Sequence, residues 1–270
     1  MLFVREYGST GPLLMALHGG PGAPGGMLAV VARLADRYRV IEPFQRPSGD
    51  AALSVAQHIE DLHELICSRA ADSHPALLGS SWGAMLALAY AAEHPESTGP
   101  LILVGCGTFD LAARAHMQEN IRQRMSTEVR KRLKRAEQLA NTDERLKAFA
   151  DASAPIYSYD PLPSSHENEK VDAKAQKETW DDMVRLQMEG IYPAAFANIQ
   201  VPVLMVHGDY DPHPGRLIRD SLRPHLPQLE YRELEHCGHY PWQEKYAAET
   251  FFALIYDWLR QNGRSSDKRR

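Results

Sequence analysis

Short apolar runs recur along this 270-residue sequence, and stretches with helical spacing separate them. The runs do not alternate with polar residues, which is typical of strands covered on both faces in a parallel sheet. The sequence predicts strands at 13–17, 38–41, 76–78, 101–104, 201–206 and 229–234, with 3–7 as a candidate further strand. Helical spacing covers 55–67, 82–93 and 246–259. This alternation predicts the α/β class, with a mostly parallel central sheet flanked by helices.

The alternation stops between residues 107 and 197, where no apolar run resembles a strand. Residues 114–150 are highly charged with a helical pattern, 154–170 are rich in proline and serine, and 179–189 are helical in pattern again. We therefore expect two helical regions separated by a loop at 154–170. The predicted organisation is a core of 1–106 and 198–262, a helical cap of 107–197 inserted after the sixth strand, and a flexible tail of 263–270.

Composition and charge argue against several classes of protein. The net charge is −5, which argues against binding nucleic acid through its phosphates. No apolar run is long enough to predict a membrane span, and the first residues do not resemble a secretory signal. The separated cysteines Cys67, Cys106 and Cys237 fit neither a disulfide framework nor a zinc site. We expect a cytoplasmic protein that works without a cofactor or a metal, and the sequence leaves its oligomeric state open.

Residues 79–83 (GSSWG) stand between a predicted strand and an alanine-rich predicted helix. The segment fits the pattern G-x-S-x-G with Ser81 at its centre, and such a sharp turn lifts a serine hydroxyl out of the sheet. Flanking glycines make room for the strained backbone, and the amide of Trp82 begins a helix and can donate to an oxyanion. We predict Ser81 as a nucleophile; the alternative is a tight turn with a helix-capping serine.

Residues 18–22 (HGGPG) follow the predicted strand at 13–17. Small and rigid residues hold such a loop with its backbone amides exposed, as the other half of an oxyanion hole requires. We predict that the amide of Gly20 supplies this half. The alternative, a phosphate-binding loop, fits poorly because the spacing is not G-x-G-x-x-G and no lysine follows as in a P-loop.

Acidic and basic side chains follow the last two predicted strands, in the segments HGDYDP and HCGH. Asp211 lies beyond its strand, so we predict it as the acid that orients a histidine base. Asp209 is expected to hold the turn through hydrogen bonds to the backbone. His239 is the predicted base, and His236 is an alternative base or a packed histidine. A metal held by both histidines is disfavoured, because no third ligand is clustered with them.

Four motifs resemble those of the α/β-hydrolase superfamily and, within it, those of the proline iminopeptidase branch. They are HGGPG at 18–22, QRPSG at 45–49, GSSWG at 79–83 and HGDYDP at 207–212. The branch has HGGPG as its oxyanion loop and QRGSG, GGSWG and GRYD at the other three, so Pro47 replaces a glycine. The order Ser81, Asp211, His239 is also that of α/β-hydrolases. The resemblance covers nearly the whole chain and implies the α/β-hydrolase fold and serine hydrolase activity.

The sequence departs from that branch near its start and in the cap. Few residues precede the strand at 13–17, so the usual first hairpin is shortened. The cap lacks the Trp-x-x-Trp-Glu feature of the branch, whose cap carboxylates bind the free amine of the substrate. Glu189 resembles one of those carboxylates; the alternative is a solvated residue at a helix end.

The predicted mechanism is acyl transfer in two steps. Ser81 attacks a carbonyl carbon while His239 takes its proton, and Asp211 orients and stabilises the imidazolium. The amides of Gly20 and Trp82 hold the oxyanion, and water then releases the acyl group.

Three hypotheses of function follow. The first is hydrolysis of small carboxylic esters. The second is an aminopeptidase that releases N-terminal residues from short peptides, with Glu189 binding the substrate ammonium group. The third is a hydrolase fold that binds a ligand or protein without catalysis, against which the intact set of Ser81, Asp211 and His239 argues. We favour the ester hydrolase, because the cap lacks the tryptophan-rich segment.

Overall fold

A seven-stranded sheet forms the centre of the computed structural model, which describes residues 2–70, 74–163 and 170–263. Its strands are β1 (Val4–Tyr7), β2 (Leu13–Leu17), β3 (Arg39–Pro43), β4 (Ala76–Ser80), β5 (Leu101–Val104), β6 (Val203–Gly208) and β7 (Leu229–Leu234). They lie in the order β1-β3-β2-β4-β5-β6-β7. Strand β1 is antiparallel to β3, and every other neighbouring pair is parallel. The parallel strands therefore present their carboxyl ends along one edge of the sheet.

Helices cover the sheet within the described part of the chain. They are α1 (Leu28–Leu34), α2 (Val55–Ala70), α3 (Trp82–Glu93), α4 (Leu111–Arg124), α5 (Thr127–Glu137), α6 (Thr142–Tyr157), α7 (Ala173–Met188), α8 (Gly215–Leu222) and α9 (Ala248–Asn262). Short 3₁₀ helices lie at Pro95–Ser97, Ala194–Asn198 and Pro241–Gln243. None of these described helices is both long enough and apolar enough to cross a membrane.

Alternate residues of the strands face opposite sides of the sheet, and each side has its own apolar core. On one side Met15 and Leu103 pack with residues of α2, α3 and α8. On the other side Leu14 and Ile102 pack with residues of α1 and α9. Because both faces are covered, β2, β5 and β6 are buried at every residue, which explains their lack of alternation.

The predicted fold class is confirmed, and β2, β5, β7 and α3 have the predicted bounds. The loop predicted for 154–170 is wrong at its start, because α6 continues through Pro155 to Tyr157. Ala152 and Ile156, four residues apart, are both buried on one face of this helix, and their packing sustains it past the proline. Residues 164–169 of the predicted loop lie outside the described residues. Helices α1 and α8 are short and were not predicted.

Helices α4 to α7 lie between β5 and β6 and are called the cap helices below. Within residues 2–70 only β1 precedes β2, so the helices follow the fifth strand and not the sixth. The domain bounds at 107 and 197 stay a prediction. Residues 264–270 of the predicted flexible tail lie outside the described residues.

Candidate active site

Ser81 lies in the sharp turn between β4 and α3. Its backbone has φ 53° and ψ −114°, a left-handed conformation that costs energy for a residue with a side chain. Its amide donates to the carbonyl oxygen of Val104 at 2.8 Å, which ties the turn to the end of β5. The strained turn thus holds a partly exposed serine at the carboxyl edge of the sheet, where α/β folds keep their binding sites.

Two glycines allow three backbone segments to meet at this turn. A Cβ added to Gly79 would lie 2.2 Å from the carbonyl oxygen of Gly83. A Cβ added to Gly83 would lie 2.2 Å from the carbonyl oxygen of Leu17. No side chain fits at such distances, so both positions need glycine for the start of α3 to pack against the end of β2.

The HGGPG loop at 18–22 lies against the Ser81 turn. A Cβ added to Gly19 would lie 3.1 Å from the Cβ of Ser81. Gly20 follows with a φ of 56°, and Trp82 is the first residue of α3, where no preceding helical turn accepts its amide hydrogen. The HGGPG loop therefore meets the Ser81 turn at Gly19, the neighbour of Gly20, and the role of the Gly20 and Trp82 amides stays a prediction.

Gln45, from the QRPSG segment, links these two elements. Its side-chain amide donates to the carbonyl oxygen of His18 at 3.2 Å, and its side-chain oxygen accepts from the indole of Trp82 at 2.7 Å. Its backbone amide donates to His18 Nε2 at 3.2 Å, so the imidazole proton lies on Nδ1, which is 2.9 Å from the carbonyl oxygen of Gly19. One glutamine thus positions the HGGPG loop relative to α3, a role that the sequence motif did not reveal.

Asp211 and His239 come together after β6 and β7. His239 Nδ1 donates to Asp211 Oδ2 at 2.8 Å, and both side chains are buried. The pairing leaves Nε2 of His239 as the ring nitrogen for a second partner. The structure thus joins the predicted acid and the predicted base directly, as their assignment requires.

Asp209 and His236, the other candidates for the acid and the base in these two segments, have other partners. Asp209 accepts a hydrogen bond from the amide of Cys237 at 3.1 Å, so it holds the turn as expected. His236 is exposed at a φ of 53° and contacts the rings of Tyr159 and Tyr246. Neither residue is joined to Asp211 by any contact of the described chain.

Several imidazoles face the Asp211 carboxyl group. Burial alone would raise its pKa, but the imidazoles of His239, His213 and His207 hold the pKa well below its ordinary value. His207 Nδ1 lies 3.4 Å from Oδ2, and His213 Nδ1 lies 3.1 Å from Oδ1. Asp211 is therefore an ionised, buried acceptor at neutral pH.

Gly105 connects the Ser81 turn to His239. It follows Val104, which accepts the Ser81 amide, and its own amide donates to Val206 at 2.9 Å. A Cβ added here would lie 2.8 Å from His239 Cε1, so the imidazole rests directly on this glycine. Among the described contacts, no hydrogen bond joins the Ser81 hydroxyl to the His239 ring. Such bonds are often long before substrate binds.

The cap helices hold the loop that carries Asp211. The Arg124 guanidinium, at the end of α4, lies 3.8 Å over the ring of Tyr210 and donates to the carbonyl oxygens of Tyr210 and Ile156. Asn120 donates to the carbonyl oxygen of Pro212 at 3.0 Å. These contacts fix the backbone on both sides of Asp211, so the cap helices support the candidate site.

The end of α6 supports His239 in the same way. The His239 amide donates to the carbonyl oxygen of Tyr157 at 2.7 Å. The buried Glu244 carboxylate accepts the amides of Tyr159 and Asp160, both at 2.8 Å, and that of Gly238 at 3.0 Å. This carboxylate ties the chain after α6 to the His239 loop, and nothing in the sequence had pointed to it.

Glu189, the predicted amine-binding residue, ends α7 on the surface. Its side chain is 50% exposed and pairs with Arg185 at 2.6 Å. No contact within the described chain joins it to Ser81, Asp211 or His239. Its part in substrate binding stays a prediction.

Asp211, His213 and His239 form the one group of potential metal ligands among the described residues. Both histidines direct Nδ1 to the carboxylate, at 3.1 Å and 2.8 Å. The ligand atoms are thus already engaged with one another, and the hydrogen bonds account for the arrangement without a metal.

The sheet is mostly parallel, the strained serine turn follows β4, and the buried acid and histidine follow β6 and β7. These features together define the α/β hydrolase class. The model of the alpha/beta hydrolase family matches residues 14–253, and the chain belongs to that family. It is a hydrolase enzyme.

Relatives and solved structures agree with this assignment. The chain is 27% identical to a proline iminopeptidase of Lactobacillus helveticus, over 94% of this chain and 92% of the relative. It is similar to the structure of proline iminopeptidase from Mycobacterium smegmatis, with a TM-score of 0.64, 20% identity and coverage of 96% and 94%. It is also similar to the structure of a thermophilic esterase from Thermogutta terrifontis, with a TM-score of 0.64 and 20% identity over 96% of this chain and 93% of that one. The predicted resemblance to the proline iminopeptidase branch is confirmed, and the solved structures confirm the fold.

Proposed function

We propose that this protein is a serine hydrolase that cleaves small carboxylic esters through an acyl-enzyme. The observation that carries the proposal is the buried Asp211–His239 hydrogen bond of 2.8 Å beside the strained Ser81 turn. An ionised acid paired with Nδ1 leaves Nε2 of His239 to act as a base, which is the arrangement that activates a serine hydroxyl.

In the proposed mechanism, the Ser81 oxygen attacks the ester carbonyl carbon and its proton passes to His239 Nε2. Asp211 stabilises the imidazolium that forms. The amides of Gly20 and Trp82 hold the carbonyl oxygen as it becomes negative. His239 then gives the proton to the leaving alcohol as the ester bond breaks. Water repeats the sequence on the acyl-serine and restores the free enzyme.

The carboxylates of α7 favour an ester over an amine-bearing substrate. Asp172 accepts from the amide and hydroxyl of Ser48 and caps α7. Glu178 accepts from the amide of Leu53, and Asp182 from the amide of Val55, so both support the start of α2. With Glu189 paired to Arg185, each of these four carboxylates of the described α7 region has a partner. A substrate ammonium group would therefore have to share a carboxylate that already accepts from a donor of this chain.

The second candidate is an aminopeptidase that releases an N-terminal residue. Its support is the relative that matches over nearly its full length, which is named a proline iminopeptidase. The same Ser81 and His239 chemistry would cleave an amide bond. In this case Glu189 would leave Arg185 and bind the substrate ammonium group.

A substrate panel separates the two candidates. We expect p-nitrophenyl butyrate to be hydrolysed, with no preference for proline p-nitroanilide over its N-acetyl form. Glu189→Gln should leave kcat/KM for each substrate unchanged, like the control Asp181→Asn, which removes another exposed carboxylate of α7. A free-amine preference of roughly 10- to 150-fold that Glu189→Gln abolishes would contradict the ester proposal, since that is the range for a hydrogen bond to a charged group.

The proposed setting is the cytoplasm, with a small ester as the partner and no cofactor. Cys67, Cys106 and Cys237 are free thiols in the structure. Burial raises the pKa of Cys106 and Cys237, so these two thiols are poor nucleophiles.

A further inference from the structure

His213 hydrogen-bonds to Oδ1 of Asp211, the carboxylate oxygen beside the one that His239 binds. Its backbone amide donates to Oδ1 at 2.9 Å, and its Nδ1 lies 3.1 Å from the same oxygen. His239 takes the other oxygen, Oδ2, at 2.8 Å. His213 thus hydrogen-bonds to Oδ1 and His239 to Oδ2, with His207 Nδ1 3.4 Å from Oδ2, and these contacts restrict rotation of the carboxylate about the Cβ–Cγ bond.

The two imidazoles also pack against each other. Their ring centres are 4.6 Å apart and their planes differ by 22°. The ring of Tyr157, from α6, meets the His239 ring edge-on at 5.5 Å and contacts the His213 ring at 6.0 Å. His213 is only 12% exposed, so it forms part of the packing that sets the plane of the His239 imidazole.

We propose that His213 is a positioning residue for catalysis, which holds Asp211 Oδ1, keeps Oδ2 directed at His239 Nδ1 and packs its ring against the His239 imidazole. This inference rests on the proposed serine hydrolase mechanism. It assigns to His213 a role that the three residues Ser81, Asp211 and His239 do not cover.

The hydrogen-bonding roles follow from the charge of the acceptor. Asp211 is ionised, so the His213 nitrogen that faces it must carry a hydrogen. A donor to Oδ1 withdraws negative charge from the carboxylate and lowers the attraction of that carboxylate for an imidazolium. His213 therefore limits how strongly Asp211 favours the protonated form of His239, which must be neutral to accept a proton.

His213 remains neutral when His239 becomes charged. Burial lowers the pKa of His213, although Asp211 opposes that shift. Two charged rings at 4.6 Å would repel each other, so protonation of one disfavours protonation of the other. A neutral His213 can thus sit beside the imidazolium that the mechanism requires.

Two tyrosines are packed against this pair. Burial raises the pKa of Tyr157 to about 12 and also raises that of Tyr240, whose ring contacts His239 at 4.7 Å. Both tyrosines are neutral over the range in which imidazoles titrate. The remaining groups are the Arg124 guanidinium on the Tyr210 carbonyl and the buried His207, which lies 3.4 Å from Asp211 Oδ2.

Two substitutions separate the hydrogen bond from the ring packing. His213→Phe keeps a flat ring against His239 but loses the side-chain donor to Oδ1, while the backbone amide of residue 213 still donates to that oxygen. His213→Asn keeps a nitrogen donor near the position of Nδ1 but loses the ring. His225→Phe is the control, because His225 lies after α8 with its amide bonded to Leu222 and no contact to Asp211.

The readout is the pH dependence of kcat and KM with the substrate that the wild type hydrolyses best. We expect His213→Phe to lower kcat roughly tenfold, with little change in KM, the scale of a hydrogen bond to a charged group. Its acid limb should move to higher pH by roughly 0.5–1 unit, because Asp211 then favours the imidazolium more strongly. His213→Asn and His225→Phe should retain the wild-type acid limb.

Two results would overturn the inference. An acid limb unmoved in His213→Phe would show that the side-chain donor of His213 has no effect on His239. Equal shifts in His213→Phe and His213→Asn would assign the effect to ring packing. If His213→Phe does not fold, the wild type still decides by NMR with ¹⁵N-labelled histidine: His213 must stay neutral, protonated on Nδ1, while His239 titrates.

The proposed function fails on a different result. If Ser81→Ala retains turnover, the serine mechanism is wrong whatever His213 does. If Ser81→Ala is inactive and the His213 variants match the wild type at every pH, the serine mechanism stands and only the role of His213 is lost.

Discussion

Ser81→Ala is expected to lower kcat/KM for the best ester by about 10⁴- to 10⁶-fold, the range seen when a catalytic serine is removed. The proposed acyl-enzyme forms on the Ser81 oxygen, so no other group of the site can replace it. The thermal unfolding midpoint should be nearly unchanged, because alanine at this position has the same strained φ of 53°. Initial rates and thermal unfolding of the purified variant provide the two measurements.

Ser80→Ala is the matched control for this prediction. Ser80 is adjacent in sequence, but its hydroxyl is buried and makes no hydrogen bond within the described residues. Its removal should leave turnover close to that of the wild type. Loss of activity in Ser80→Ala together with full activity in Ser81→Ala would move the nucleophile by one residue and refute the proposed site.

Asp211→Asn is expected to lower kcat by roughly 10³- to 10⁴-fold. The amide group of asparagine is neutral and can donate a hydrogen bond, so it favours the wrong tautomer of His239 and no longer stabilises the imidazolium. It also leaves His213 and His207 facing a group that cannot accept from all of them. The measurement is kcat at a pH where the wild type is fully active.

Asp209→Asn is the control from the same turn. Asp209 accepts only the amide of Cys237 in the described structure, and asparagine can still accept that hydrogen bond. Its kcat should therefore stay close to the wild-type value. A severe loss in Asp209→Asn with a harmless Asp211→Asn would contradict the assignment of the acid.

The sequence predicted the sheet well because each central strand is covered on both faces. Strand β5 and helix α3 have the predicted bounds, since β5 is apolar throughout and α3 is apolar or small up to Glu93, its last residue. Helices α1 and α8 span few residues, so their periodicity was too short to distinguish from a loop. The sequence did not predict that α6 continues through Pro155, because this part of the helix depends on the burial of Ile156 in the folded protein.

The residues of the candidate site could be predicted where a catalytic role requires a particular local backbone. Ser81 needs a glycine-flanked turn, and Asp211 and His239 need positions just beyond strand ends, so sequence order alone pointed to them. The contacts that support them cross from one segment to another. Arg124 reaches Tyr210 over 86 positions of sequence, and no local pattern encodes that distance.

Two supporting residues did have a visible signal. His213 stands two positions after Asp211 and could have been considered as a second partner of that carboxylate. Gln45 lies in the QRPSG segment, but the sequence of that segment does not indicate that its side chain bridges His18 and Trp82. The position of His213 is visible in the sequence, whereas the bridge that Gln45 makes depends on the tertiary fold.

The most direct test of the serine mechanism is covalent labelling with a fluorophosphonate, which reacts only with an activated nucleophile. We expect one phosphonyl group per chain, loss of ester hydrolysis in proportion to labelling, and a modified peptide with the label on Ser81. Ser81→Ala should take up no label, and Ser80→Ala should be labelled as fast as the wild type. A label on Ser80, or an active enzyme that takes up none, would contradict the account.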